Sequence, residues 1–302
     1  MTIVTIGDII NANIICEVKI MSFVLNKIIS LILVPLYLCP FLPFIHVVKI
    51  FNQPKELISL SENGIGSEAD PVYLTAHRGV WAEAPENSLP AYEKAVEYGY
   101  YTAECDIRLT KDNEWVLNHN SDTGSLFCEI GEISDYTLEE LKTFSYKWGA
   151  DFWKYEDLRI CTLDEYLDVF IGSSTRPQIE IKGNNLDMLY KVVDAIKARG
   201  MEEQAIIISF DFEQLKVVDA LGCDIELWYL CDRITPEIIE TVGALNSECW
   251  LSPDFEDNDA ESIQLAIDAG VGCSFWTVNE LEDAKMLYDM GIRYIETDIF
   301  IN

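Results

Sequence analysis

Short apolar runs alternate with helix-like patterns from Pro71 to the end of this 302-residue chain. Each run has the length of a strand, and most of the intervening segments end at a Gly that can stop a helix. Alternation of this kind predicts parallel strands joined by helices. Over the length of residues 71–302 it favours an α/β fold in which eight strands close into a (β/α)8 TIM barrel.

Nine runs compete for the eight places in such a barrel. They are residues 72–76, 102–109, 115–117, 178–181, 205–209, 225–230, 249–251, 273–278 and 294–296. Only a turn, residues 111–114, separates the second run from the third. Because parallel neighbours need a longer crossover connection, we expect these two runs to form an antiparallel hairpin that extends from one barrel strand.

Polar residues mark the starts of several helices. Thr162 and Glu165 have the spacing of a capping box, in which each side chain binds the other's main-chain N–H. Asn279 is suited to cap the last helix, and Gly291 to end it. Residues 120–160 lack a firm strand pattern, and a segment of this length in a compact domain is usually a lid or a specificity element.

The N-terminal region contains a long uncharged segment. Residues 28–48 include no Asp, Glu, Lys or Arg, which is enough to cross a bilayer as a helix, although three prolines interrupt the run. The alternative is a buried hairpin of the soluble domain. Met21 precedes the run as a possible start of a signal anchor. We therefore expect a hydrophobic segment at 1–50 that associates with a membrane, a linker at 51–70 and the barrel domain at 71–302, with the extracytoplasmic side favoured.

The composition excludes several classes of protein. Acidic residues number 52 against 21 basic ones, and the net charge of -31 argues against binding to nucleic acid, which requires clustered Lys and Arg. Nine cysteines are scattered without a C-x-x-C pair, so a zinc site is not expected. Cys105 has the periodicity of a residue that packs outside the barrel.

The segment from Leu74 to Asn120 concentrates residues that can carry chemistry. His77 follows one candidate strand and His119 follows another. Glu104 and Asp106 are two apart on a strand, so both carboxylates point to the same face. Two neighbouring carboxylates need a cation or a proton between them when buried, and flanking histidines suggest acid–base chemistry.

Several short motifs occur in one order along the chain. They are His77-Arg78-Gly79, Pro85-Glu86-Asn87-Ser88, Glu104-Cys105-Asp106, His119-Asn120, Glu180-Ile181-Lys182, Ser209-Phe210, Trp276-Thr277-Val278-Asn279 and Thr297-Asp298. This series resembles the glycerophosphodiester phosphodiesterase family. The departure is Asn120, where that family usually has Asp, and a neutral amide would make His119 less basic.

The resemblance implies roles for residues in six of these motifs. His77 and His119 would share the acid and base roles, and the substrate would contact Arg78, Lys182 and Trp276. Glu104, Asp106 and Glu180 would hold a metal ion, and Glu86 would be either a further ligand or a residue that orients His77. The expected reaction is hydrolysis of a glycerophosphodiester to sn-glycerol 3-phosphate and an alcohol.

Charge indicates that this site needs its cation. The carboxylates of Glu104, Asp106 and Glu180 outnumber the positive charges of Arg78 and Lys182, so the site alone would repel a phosphodiester. A divalent ion makes the sum positive, and an all-oxygen set of ligands suits Ca²⁺ or Mg²⁺.

Two other functions remain open from the sequence. Aromatic residues in segment 120–160 could line an apolar groove for a lysophospholipid, as in a lysophospholipase D, or could simply pack the lid. A barrel that has become a non-catalytic binding module is the third reading, and Asn120 is its only support.

Overall fold

The computed structural model describes residues 56–155, 157–222 and 224–302. The hydrophobic segment predicted at 1–50 lies outside these residues, as does the proposed membrane span at 28–48. Among the described residues, no helix has the length and hydropathy needed to cross a membrane.

The described residues form eleven strands. In chain order they are β1 (Ile58–Ser59), β2 (Tyr73–Ala76), β3 (Thr102–Leu109), β4 (Trp115–Leu117), β5 (Arg176–Ile181), β6 (Ile206–Ser209), β7 (Glu226–Cys231), β8 (Cys249–Pro253), β9 (Ser274–Phe275), β10 (Tyr294–Thr297) and β11 (Phe300–Ile301). Eight of them are parallel neighbours in the order β8-β7-β6-β5-β3-β2-β10-β9. Isolated parallel bridges, Leu251 with Cys273 and Asp254 with Trp276, link the two ends of this order. The predicted (β/α)8 barrel is therefore confirmed.

The candidate run at 115–117, which exceeds the eight places of the barrel, pairs as the spacing predicts. β4 pairs antiparallel with β3, with Arg108 opposite Val116. On its other side, the Leu117 N–H donates to the carbonyl of Cys161 at 2.8 Å. β4 is thus held between a barrel strand and the segment that leads into the helix starting at Leu163.

Eight α-helices occur in the described residues. They are α1 (Leu89–Glu97), α2 (Leu138–Leu141), α3 (Leu163–Val169), α4 (Leu189–Lys197), α5 (Phe212–Ala220), α6 (Pro236–Val242), α7 (Ala260–Ala269) and α8 (Leu281–Asp289). The capping box at α3 is confirmed, because Thr162 and Glu165 each accept the other's main-chain N–H. The prediction for α8 is wrong: its N-cap is Glu280, and the Asn279 side chain binds elsewhere.

Residues of β3 point alternately to the apolar layer between strands and helices and to the inside of the barrel. Ala103, Cys105 and Ile107 point outward into the large apolar cluster beneath the helices, and all are fully buried. Each large apolar side chain buried in this layer contributes on the order of 1.5–3 kcal/mol to folding. Glu104 and Asp106 point inward instead. This separation lets the strand hold two buried carboxylates without interrupting the apolar layer.

The predicted linker at 51–70 is wrong for the part that the structure describes. β1 pairs in parallel with β11 near the C-terminus, and Leu60 and Ile65 are buried in the main core. The segment lacks any periodicity in sequence because its two-residue strand and its two apolar anchors are too short to produce one.

Residues 120–160 and Val116 of β4 form a second hydrophobic cluster. Its buried members are Val116, Leu126, Phe127, Ile133, Leu141, Tyr146 and Ile160, and Tyr136, Phe144 and Phe152 pack against them. Several of the aromatic residues considered for an apolar groove are therefore used to pack this segment.

Candidate active site

Three carboxylates meet inside the barrel at the carboxyl ends of two neighbouring strands. The parallel register of β3 and β5 sets Asp106 beside Glu180, and Glu104 shares the inward face of β3. One oxygen from each of the three lies within 4.8 Å of the others. All three residues are buried. These are the three residues that the sequence predicted as metal ligands.

The two carboxylate oxygens of Glu104 have different surroundings. Its Oε2 accepts the main-chain N–H of Arg78 at 2.8 Å, whereas the buried Oε1 has no hydrogen-bond partner among the described residues. Burial, followed by the nearby charge of Asp106, raises the pKa of Glu104 well above its usual range. A buried unpaired carboxylate oxygen is costly unless a cation meets it, so this atom fits a hard metal ion.

Asp106 is surrounded by donors. Oδ2 accepts the Asn87 amide at 2.8 Å and lies 3.7 Å from Arg78 Nε, and Oδ1 lies 3.1 Å from Lys182 Nζ. Although burial opposes ionisation, Lys182 and Arg78 together hold the pKa of Asp106 well below its usual range. This environment favours the ionised form of Asp106.

Glu180 is the carboxylate of the three whose pKa lies near neutral pH. Burial and the charge of Asp106 raise the pKa of Glu180 to about 7, although Lys182 Nζ lies only 2.6 Å from its Oε1. A bound divalent cation would favour the ionised form of this group.

His77 is held between two carboxylates. Its Nδ1 lies 2.8 Å from Oδ1 of Asp298, and its Nε2 lies 3.8 Å from Oε1 of Glu296. Burial alone would lower the pKa of His77, but the Asp298 hydrogen bond and the charge of Glu296 outweigh it, so the pKa is raised. Asp298 is itself oriented by the Trp81 indole N–H at 2.6 Å and by the Asn279 amide at 2.8 Å.

Glu296 and Asn279 were missed as site residues by the sequence analysis. Glu296 points inward from β10, and burial raises its pKa to about 7. Its alternation with Tyr294 was the available signal, because residues two apart on a barrel strand share a face. Asn279 Oδ1 accepts the main-chain N–H of Asp298 at 2.9 Å, which explains why it does not cap α8.

His119 lies two residues beyond β4 and has a different environment. Its Nδ1 is 3.0 Å from Oδ1 of Asn120. Burial lowers the pKa of His119 to about 4, and the charges of Arg78 and Lys182 act in the same direction. Asp106 opposes them but does not prevail. His119 is therefore a neutral imidazole over most of the physiological range.

Arg78 occupies the gap between the carboxylates and the helix that follows. Its backbone is left-handed (φ 57°), which turns its main-chain N–H towards Glu104. Nη1 contacts both oxygens of Glu86 at 3.3 Å, whereas the buried Nε has no hydrogen-bond partner among the described residues. Glu86, predicted as a metal ligand or as a residue that orients His77, is thus found paired with Arg78.

Trp276 lines the interior above the apolar part of the barrel. Its indole N–H donates to the carbonyl of Ser252 at 2.9 Å, and its ring meets Phe210 edge-on with centroids 5.8 Å apart. Phe210 is 45% exposed. The pair forms an aromatic wall that starts inside the barrel and ends at its surface.

Comparison with known proteins identifies the family. A model of the "Glycerophosphoryl diester phosphodiesterase family" matches residues 77–300, which contain all of the groups described above. The chain belongs to this family. Residues 77–300 take in β3 to β10 and segment 120–160, so the match extends well beyond the motifs around the two histidines.

Two kinds of relative support the assignment to the glycerophosphoryl diester phosphodiesterase family. A glycerophosphodiester phosphodiesterase of Caldanaerobacter subterraneus is 32% identical over 235 residues, which cover 74% of this chain and 93% of the relative. A phosphodiesterase of Oleispira antarctica, solved with the product sn-glycerol-3-phosphate, has a similar fold, with a TM-score of 0.69, 23% identity and coverage of 80% of this chain and 96% of that one. For the Thermotoga maritima glycerophosphodiester phosphodiesterase these values are 0.60, 27%, 75% and 94%. The chain is accordingly an enzyme that hydrolyses glycerophosphodiesters.

Proposed function

We propose that the chain hydrolyses glycerophosphodiesters to sn-glycerol 3-phosphate and an alcohol by a metal-dependent mechanism, with His77 and His119 as the acid–base pair. One observation carries the proposal. Among the described residues, a buried carboxylate oxygen of Glu104 and a buried guanidinium N–H of Arg78 both lack a hydrogen-bond partner, and their residues are in direct contact. Such a site is complementary to a cation and an anion bound together.

The cation would be held by Glu104, Asp106 and Glu180, and it would be Ca²⁺ or Mg²⁺ because all the ligand atoms are oxygens. When bound, such an ion supplies Lewis-acid polarisation of the phosphate oxygens. Glu86, Glu296 and Asp298 are further acidic groups around the site that the sequence-based sum of charges left out. They add to the negative charge that a bound cation would offset.

Arg78 and Lys182 would bind the phosphodiester. In the structure Lys182 Nζ lies 2.6 Å from Glu180 and 3.1 Å from Asp106, and Arg78 contacts Glu86. These contacts orient both cations towards the centre of the site. Arg78 Nε has no hydrogen-bond partner in the described part of the chain, so its N–H is available to a phosphate oxygen, and Trp276 gives the carbon skeleton of the substrate an apolar wall.

The two histidines are suited to opposite tasks. Nδ1–H of His119 donates to Asn120, which leaves Nε2 as the acceptor for a proton from the attacking water. The Asp298 carboxylate and the nearby Glu296 favour a protonated His77, whose Nε2–H would protonate the leaving alcohol oxygen. The bond from phosphorus to the alcohol breaks as the bond to water oxygen forms. A cation would lower the pKa of both rings, but the difference between a carboxylate partner and an amide partner would persist.

Product identification tests this proposal. The protein is incubated with glycerophosphocholine and Ca²⁺ or Mg²⁺, and the phosphorus-containing products are identified by ³¹P NMR. Release of sn-glycerol 3-phosphate and choline is expected, whereas release of phosphocholine and glycerol would mean that the wrong phosphorus–oxygen bond is attacked. Lysophosphatidylcholine tested in parallel distinguishes a lysophospholipase D, and a lack of turnover on every diester would favour a binding module.

A further inference from the structure

Arg108 lies on the site face of β3, and no role has been assigned to it so far. It follows Asp106 by two residues, so its side chain leaves the strand on the same face as the metal-ligand carboxylates. It is also the residue of β3 that pairs with Val116 on β4, the strand that leads to His119.

The guanidinium of Arg108 grips the main chain at His119. Nε donates to the carbonyl oxygens of Asn118 at 3.1 Å and of His119 at 3.0 Å, and Nη2 donates to the same His119 oxygen. A planar fork with fixed donor directions defines the position of those two carbonyls more narrowly than a single donor would.

These bonds begin where the strand ladder ends. The last main-chain bond of the β3–β4 hairpin joins the Asn118 N–H to the Asp106 carbonyl at 2.9 Å. Beyond it, neither His119 nor Asn120 donates its main-chain N–H to another backbone carbonyl in the part of the chain described here. The Asn118 amide holds the carbonyls of Asn120 and Asp122. The carbonyl of His119 itself is left to Arg108.

In the described part of the chain, Arg108 donates to main-chain carbonyls and not to carboxylates, although the chain is rich in Asp and Glu. Within the described ranges it forms no ion pair at 4.0 Å or less, although the other two cations of the site, Arg78 and Lys182, both pair with carboxylates. A half-buried arginine that donates to main-chain carbonyls instead of to Asp or Glu is being used for geometry.

We propose that Arg108 is a positioning residue for His119: its guanidinium fixes the main chain of the loop so that the imidazole stands where it can accept the proton of the nucleophile. This inference rests on the base role proposed above for His119. A displaced general base costs catalysis and leaves substrate binding intact, since the loss falls on the transition state.

Kinetics of two variants test the proposal. Arg108→Met keeps the aliphatic stem and removes every donor, and it should lower kcat by about 10–100-fold while KM changes less than about threefold. Arg108→Lys keeps the charge and one donor group, so it should recover part of the lost kcat. Arg199→Met is the matched control, because it removes a guanidinium that binds Asp164 and Asp168 on the outer surface, and its kcat should be unchanged.

Two kinetic results would overturn the inference. A kcat within threefold of the wild type in Arg108→Met would show that the fork does not matter to catalysis. Full recovery in Arg108→Lys would show that the charge acts and not the fork. If Arg108→Met does not fold, Arg108→Lys alone decides, because an intermediate kcat is expected and a wild-type kcat contradicts the proposal.

Histidine NMR separates this inference from the proposed reaction. The chain has only three histidines, so the ring ¹⁵N signals can be assigned by substitution. In Arg108→Met the signal of His119 should shift or broaden while that of His77 does not. An unmoved His119 signal would contradict the positioning role even if the wild type were inactive on glycerophosphodiesters, and inactivity of the wild type would count against the reaction alone.

Discussion

The carboxylate of Asp298 lies 2.8 Å from Nδ1 of His77, and it orients that ring while favouring its protonated form. The corresponding neighbour of His119 is the neutral amide of Asn120, at 3.0 Å. The pKa of His77 is raised because Asp298 and Glu296 outweigh burial, whereas burial lowers the pKa of His119, whose hydrogen-bond partner carries no charge. Under the proposed mechanism, this asymmetry suits His77 to give a proton and His119 to accept one.

Asp298→Asn should reduce the fraction of His77 that is protonated. The substitution keeps the shape and removes the negative charge, so the pKa of His77 falls. An acid must be protonated to act, and activity is lost as pH rises through its pKa. The alkaline limb of kcat/KM should therefore move to lower pH, by about one pH unit. The measurement is a pH–rate profile with Asp168→Asn, a surface substitution, as control. An unmoved alkaline limb would remove His77 from the acid role.

Asn120→Asp should raise the pKa of His119, whereas Asp298→Asn lowers that of His77. A carboxylate at 120 favours protonated His119, so its pKa rises from about 4. A base must be neutral to act, and activity is lost as pH falls through its pKa. The acid limb should therefore move to higher pH, although solvent screening at the exposed Asn120 reduces the shift. Superimposable profiles would mean that position 120 does not tune His119.

Removal of either imidazole should abolish most of the activity. His77→Ala and His119→Ala should each lower kcat by about 10²–10⁴-fold, the usual contribution of a general acid or base. Circular dichroism and thermal unfolding of both variants serve as controls for the fold. A loss below tenfold at one position would exclude that histidine from the mechanism.

The N-terminal segment should be dispensable for chemistry. Asn52–Asn302 form one compact unit, so deletion of residues 1–51 should leave a folded, active enzyme. If residues 28–48 anchor the chain in a membrane, the full chain should sediment with membranes and the truncated one should not. Unfolding of the truncated chain would identify the segment as part of the core.

The barrel and the carboxylates of β3 could be predicted because the sequence patterns that indicate them are local. Period-two alternation exposed Glu104 and Asp106, and glycines marked the helix ends. Glu296 and Asp298 could not be given roles, since their meaning depends on His77, which is more than 200 residues away in sequence and adjacent only once β10 pairs with β2. The β1–β11 pair was missed for the same reason.

Asn279 shows how a correct local rule gives a wrong assignment. Its side chain is suited both to cap a helix and to hold a loop, and the sequence before α8 favours the first. The structure uses it for the second, because Asp298 presents a main-chain N–H and a carboxylate to the same amide.

Metal content and activity of one pair of variants test the central claim most directly. Glu104→Gln removes the charge of the carboxylate whose Oε1 has no hydrogen-bond partner among the residues that the structure describes, and Glu83→Gln is a matched control on a surface ion pair with Lys94. After chelation and dialysis against Ca²⁺ or Mg²⁺, the wild type and Glu83→Gln should each retain about one ion by elemental analysis and regain glycerophosphodiester hydrolysis, whereas Glu104→Gln should retain neither ion nor activity. Full hydrolysis by the wild type in excess chelator, with no ion bound, would contradict the account.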